Sequence, residues 1–170
     1  MILFLTGASH TGKPLLSQKL MERYHIPYFS IDHLKMGLIR SGYTHLTVED
    51  DDELTALMWP IVREMIKTAI ENEQHMVIEG CYLPFDWRKD FGEEYLPHIR
   101  FVCVVMTEEY LRNHFSDVRH YASVVENREE EPELDLAELI RDNAANLAKC
   151  REHGCEVILI DGEYKVELTN

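Results

Sequence analysis

Seven residues near the start of the chain, Gly7-Ala8-Ser9-His10-Thr11-Gly12-Lys13, have the types and spacing needed to hold a phosphate chain. The two glycines let consecutive backbone amides turn inward and donate to phosphate oxygens. A lysine directly after the second glycine can reach the β- and γ-phosphates. The G-x-x-x-x-G-K spacing is weak evidence alone, and its setting adds weight. An apolar run, Ile2–Thr6, leads into it and a helical pattern leaves it, so a helix N-terminus adds partial positive charge. The candidate nucleotide-binding segment is therefore Gly7, Ala8, Ser9, His10, Thr11, Gly12, Lys13 and Pro14. The alternative is an ordinary strand–helix turn with a surface lysine. His10 could contact a γ-phosphate or simply fill a free loop position.

Pro14 breaks the pattern. A Ser or Thr normally follows the lysine, and its hydroxyl binds magnesium. Proline supplies neither hydroxyl nor backbone N–H. It is well tolerated in the first turn of a helix, so the fold should survive it. A cation would then depend on phosphates, waters and carboxylates such as Glu79 or Asp32.

The elements that must position these groups alternate between strand and helix, which predicts an α/β domain with a mostly parallel sheet. The expected strands are Ile2–Thr6, Tyr28–Ile31, Met76–Ile78, Ile99–Met106 and Val157–Ile160. A helix is expected from about Lys13 to Tyr24, stopped by His25-Ile26-Pro27. A short one is expected from His33 to Ser41, with Asp32 as its possible cap. Thr47 to Asp50 resembles a capping box with Asp in place of Glu. The apolar positions from Leu54 to Ile70 then recur at helical spacing, and Pro60 should kink that helix. Leu111, Phe115, Val118, Ala122 and Val125 mark another helix. The last runs through Leu136, Leu139, Ile140, Leu147 and Cys150 to a stop at Gly154.

The chain has 170 residues, suited to one domain with a full core. Its 17 basic and 31 acidic side chains give a net charge of −14, which argues against RNA or DNA as a partner. No apolar run is long enough to span a membrane. Cys81, Cys103, Cys150 and Cys155 form no CxxC pair and read as free thiols in a reducing compartment, so a cytoplasmic location is expected.

Three segments together resemble the P-loop kinases of the nucleoside-monophosphate-kinase type. These are the loop Gly7–Lys13, the strand end Ser30-Ile31-Asp32, and Val77-Ile78-Glu79-Gly80. That group includes adenylate, shikimate and gluconate kinases, with 2-phosphoglycerate-kinase-like and zeta-toxin-like branches nearby. The resemblance implies a three-layer fold over residues 1–170. Its five-stranded parallel sheet has order 2-3-1-4-5, and a helical lid covers 107–133. It also implies ATP and magnesium as ligands and a small acceptor.

By the same resemblance Lys13 stabilises the moving phosphoryl group. Asp32 binds the acceptor hydroxyl or takes its proton, and Glu79 orients magnesium through water or positions the acceptor. Asp32 would share the indirect metal role. Arg40, and less so Lys35, would hold an acceptor anion. Arg119, with Arg112 and Arg128, would close over the phosphates. Trp87 and Arg88 could line the acceptor pocket, although an aromatic there more often packs its loop.

Two functions follow. One is an ATP-dependent phosphotransferase acting on a small metabolite or nucleotide. The other is a nucleotide-binding protein with impaired transfer, which Pro14 favours. A toxin-like kinase acting on a nucleotide sugar is a weaker third.

Overall fold

The computed structural model describes residues 1–121 and 134–164. Five parallel strands form one sheet: β1 (Ile2–Gly7), β2 (Tyr28–Ser30), β3 (Met76–Glu79), β4 (Ile99–Met106) and β5 (Glu156–Ile160). Their order is β2-β3-β1-β4-β5, as the resemblance to the P-loop kinases implied. The central strand β1 pairs Leu5 with Glu79 on one side and Gly7 with Val104 on the other.

Alternation along the strands divides the core into two layers. Ile2 and Phe4 of β1, with Phe101, Cys103 and Val105 of β4, face one helical layer. Leu3 and Leu5, with Val102, Val104 and Met106, face the other. Both layers are apolar because a parallel sheet is covered on both faces. The first layer is closed by α3 (Asp51–Glu71), whose Leu54, Met58, Val62 and Ile66 are buried. The second is closed by α1 (Lys13–Tyr24), through Leu16 and Leu20, and by the first turn of α4 (Glu108–Tyr121), through Tyr110 and Leu111.

Several boundaries differ from expectation for identifiable reasons. The second helix, α2, spans Ile31–Arg40, so Asp32 lies inside its first turn and does not cap it. Ser30 holds the cap position without a side-chain cap bond. The Thr47–Asp50 box forms only in part: the Asp50 carboxylate accepts from the Thr47 amide at 2.7 Å, and α3 begins after Asp50 itself. That amide, then the Thr47 hydroxyl, hold Asp50 below the usual carboxylate range.

Pro60 does not interrupt α3, which runs unbroken through it. Ala56 and Pro60 are both exposed, so water can satisfy the carbonyl that the proline leaves without a donor. The break falls instead in α4, where His114 leaves helical geometry at φ −122°. The last helix, α5 (Leu136–His153), opens on an Asp135 cap to the Ala137 amide and stops at Gly154 in the left-handed region. The expected lid segment 107–133 is described only as far as Tyr121. Ala122, Val125 and Arg128 lie outside the described residues.

Candidate functional site

The carboxyl ends of β1, β2 and β3 bring the loop, Ser30-Ile31-Asp32 and Glu79-Gly80 to one edge of the sheet. Such an edge is where open α/β sheets bind ligands. The loop leaves β1 through Gly7 at φ +149°, passes His10 at +62° and enters α1 through Gly12 at +79°. These positive angles turn successive amides toward a common centre. A side chain at Gly7 would put its Cβ 2.4 Å from the Val104 carbonyl oxygen on β4. Gly7→Ala is therefore expected to destabilise the fold by about 2 kcal/mol, through backbone strain and overpacking. Urea denaturation measures this, and a loss well under half that size would show that β4 yields freely.

Lys13 is 5 % exposed. Its ammonium donates to the Ala8 carbonyl at 2.8 Å and the Gly7 carbonyl at 3.1 Å. The lysine thus lies across its own loop, and its charge is solvated by backbone oxygens. Thr11 is fully buried and donates to the Ala8 carbonyl at 2.9 Å, which tightens the turn. Pro14 sits in the first turn of α1, as expected, and the Leu16 amide closes that turn on the Gly12 carbonyl.

Glu79 is 1 % exposed. It is therefore no solvated strand end, the ordinary state of a charged residue at such a position. Its register with Leu5 and Ser30 puts all three on the α1 side of the sheet. The loop is close by: the Cys81 thiol lies 3.4 Å from the Gly7 carbonyl, and the Gly80 amide donates to Leu5. Two further hydroxyls, Ser17 on α1 and Ser30, are buried without a hydrogen-bond partner among the described residues. Lys13 and Ser17 on α1, and Ser30 and Glu79 on the strand ends on its side of the sheet, are thus all buried polar groups. Ser17 and Ser30 were not expected here. Their signal is in the spacing: Ser17 follows Lys13 by one helical turn, and Ser30 alternates with Tyr28.

Asp32 is held, not free. Lys35 pairs with it at 2.8 Å and donates to the Tyr82 hydroxyl at 2.8 Å. That hydroxyl in turn donates to Asp51 at 2.9 Å. Burial alone would lower the Lys35 pKa, but Asp32 and then Tyr82 more than offset it and hold it raised. With the folded value above the unfolded one, this stabilisation is full at neutral pH and is lost only as pH rises past the ordinary lysine range. Tyr82 is pushed up to about 12, by burial first and by Asp51, against the opposing effect of Lys35. The network joins α2, the segment after β3 and the start of α3.

The remaining candidates fall elsewhere. Arg40 is exposed at the far end of α2, about 12 Å along the axis from Asp32 at helical rise. Arg112 is bound to Glu108 at 2.7 Å on the surface. Arg119 is exposed beyond the break at His114, so it shares no unbroken helix face with Arg112. Trp87 is a core residue, 2 % exposed and stacked on Phe101, and is not positioned to line a pocket. Arg88 covers the Trp87 ring and donates to the His153 carbonyl.

No protein-family model matches the chain, and no curated protein matches it by sequence. Solved structures do. A kinase candidate from Chloroflexus aurantiacus J-10-fl aligns over 96 % of this chain and 88 % of its own, at 16 % identity and a TM-score of 0.53. A sugar kinase from Janibacter sp. HTCC2649 aligns over 94 % and 84 %, at 17 % identity and 0.52. Shikimate kinase from Bacteroides thetaiotaomicron aligns over 95 % and 85 %, at 14 % identity and 0.52. The chain therefore has the α/β fold of the P-loop kinases, and no branch among them is singled out.

Proposed function

We propose that the protein is an ATP-dependent phosphotransferase that moves the γ-phosphoryl group to a hydroxyl or phosphate of a small acceptor. The observation that carries this is the buried Lys13 lying across a glycine-framed loop, with the buried Glu79 at the adjoining strand end. The inward amides and the α1 N-terminus fit a phosphate chain. Lys13 would exchange its two carbonyl partners for phosphate oxygens and stabilise charge as the phosphoryl group leaves. Asp32 would orient the acceptor hydroxyl or take its proton, with Lys35 fixing its carboxylate. Arg40 and Arg119 remain proposals that need a change of conformation to reach the edge of the sheet.

A magnesium ion, when bound, would neutralise phosphate charge. The donor set suits only an indirect role for the protein. Pro14 has no hydroxyl, and the described residues hold no cluster of three or more metal-ligating side chains. Glu79, with Asp32 as a second carboxylate, would act through water.

Pro14 supports a second reading, a nucleotide-binding protein with little transfer. Calorimetric titration of ATP with and without magnesium tests the first step. Micromolar to millimolar binding is expected, and no heat under either condition would sink both readings. Pro14→Thr then separates them. If ATP turnover, measured as ADP release, rises strongly, the metal ligand is what the wild type lacks. If wild-type turnover is already substantial and barely changes, another group has taken over that role.

A further inference from the structure

The segment after β5 reaches back onto the phosphate loop. Ile160 ends β5 beside β4, and its carbonyl accepts from the Thr107 amide at 2.9 Å. Four residues later the Tyr164 hydroxyl donates to the Thr11 carbonyl at 2.9 Å. The same oxygen would lie 2.1 Å from a Cβ built on Gly12, so it rests against the bare face of that glycine. The loop leaves β1, two strands from β5 in the sheet. Two strand spacings are about 10 Å. Four extended residues span at most about 14 Å, enough to bring the Tyr164 side chain to the loop.

We propose that Tyr164 is a latch on the phosphate loop, a positioning residue that holds the Thr11–Gly12 turn in its binding conformation from outside. This rests on the nucleotide-binding reading of the loop. The amides of an anion nest converge inward, and across its trans peptide the Thr11 carbonyl points opposite to the Gly12 N–H. A hydroxyl on a carbonyl therefore grips the convex side and leaves the concave side open. The Tyr164 pKa is pushed up to about 12 by burial, with Tyr110 adding to it, so at neutral pH the hydroxyl keeps the proton it donates to Thr11. A glycine is needed at position 12 twice over: φ is +79°, and any side chain would displace the latch.

The test uses the full chain and its Tyr164→Phe variant, which keeps the ring and removes only the hydroxyl. ATP and inorganic tripolyphosphate are each titrated calorimetrically. Loss of one hydrogen bond that pre-orders the loop should weaken both ligands about equally, by roughly 3- to 10-fold. The thermal midpoint should move little. Unchanged or tighter binding of both ligands overturns the latch. Weakening of ATP alone overturns it as well, because Tyr164 would then contact the base. Failure of the wild type to bind either ligand rejects the nucleotide reading, and the latch is then judged by amide hydrogen exchange. The amides of residues 9–13 should exchange several-fold faster in Tyr164→Phe, and equal rates would overturn the proposal.

Discussion

Lys13→Ala should lower ATP affinity by about 100-fold or more, because charge-assisted hydrogen bonds to phosphate are worth roughly 1.5–3 kcal/mol each. The size follows from burial. At 5 % exposure the ammonium works in a medium that screens poorly, and water cannot easily replace it. The variant also takes one donor from each of the Gly7 and Ala8 carbonyls, which keep the Cys81 thiol and the Thr11 hydroxyl. Part of the loss should therefore appear without ligand, as a modest fall in stability. Titration of wild type and variant, each with a chemical denaturation curve, separates the two effects. A change under about threefold would mean that the backbone amides alone hold the phosphates. Lys13→Arg should not rescue, because the bulkier planar fork does not fit a space filled by a single ammonium.

Trp87→Ala should destabilise the protein by about 3–5 kcal/mol, the usual cost of emptying a large aromatic site in a core. The ring makes edge contacts with Phe4 at 5.4 Å and Phe91 at 5.9 Å, and it stacks on Phe101. Phe4 lies on the central strand, so the cavity would open against β1 just below the phosphate loop. Trp87→Phe should cost much less, because it also removes a buried indole N–H that has no partner among the described residues. Equilibrium urea unfolding measures both. If Trp87→Ala left stability intact and altered only acceptor use, the pocket-lining reading of this residue would be restored.

The sheet was legible in the sequence because its strands are short apolar runs bounded by turn residues, and their order came with the kinase-like loop. The loop itself was legible because its glycines do work no other residue can do. The burial of Glu79 was harder to read. Nothing in Val77-Ile78-Glu79 says that the carboxylate is buried, since that depends on α1 closing over it from 60 residues away in the chain. The same holds for Asp32. As a strand-end carboxylate it could also have been a cap, but a three-residue β2 lets α2 start two residues early and hands Asp32 to Lys35. Tyr82 and Tyr164 were out of reach for another reason. Their roles are long-range hydrogen bonds, to Asp51 and Thr11, and such bonds leave no local pattern.

The position of β1 in the sheet also shapes how the chain acquires its structure during synthesis. This strand emerges from the ribosome before the others, yet both its neighbours come much later: Ile2 pairs with Met76 and with Ile99. At about 5–20 residues per second, the second partner follows after roughly 5–20 s. Until β3 follows, after roughly 4–15 s, Ile2, Leu3, Phe4 and Leu5 have no neighbouring strand, and one edge stays open until β4 arrives; loop closure over such a span is entropically slow. A hydrophobic segment waiting that long is a natural chaperone client. Arrest of translation before β4 is complete should therefore leave a nascent chain whose leading strand is still open to capture.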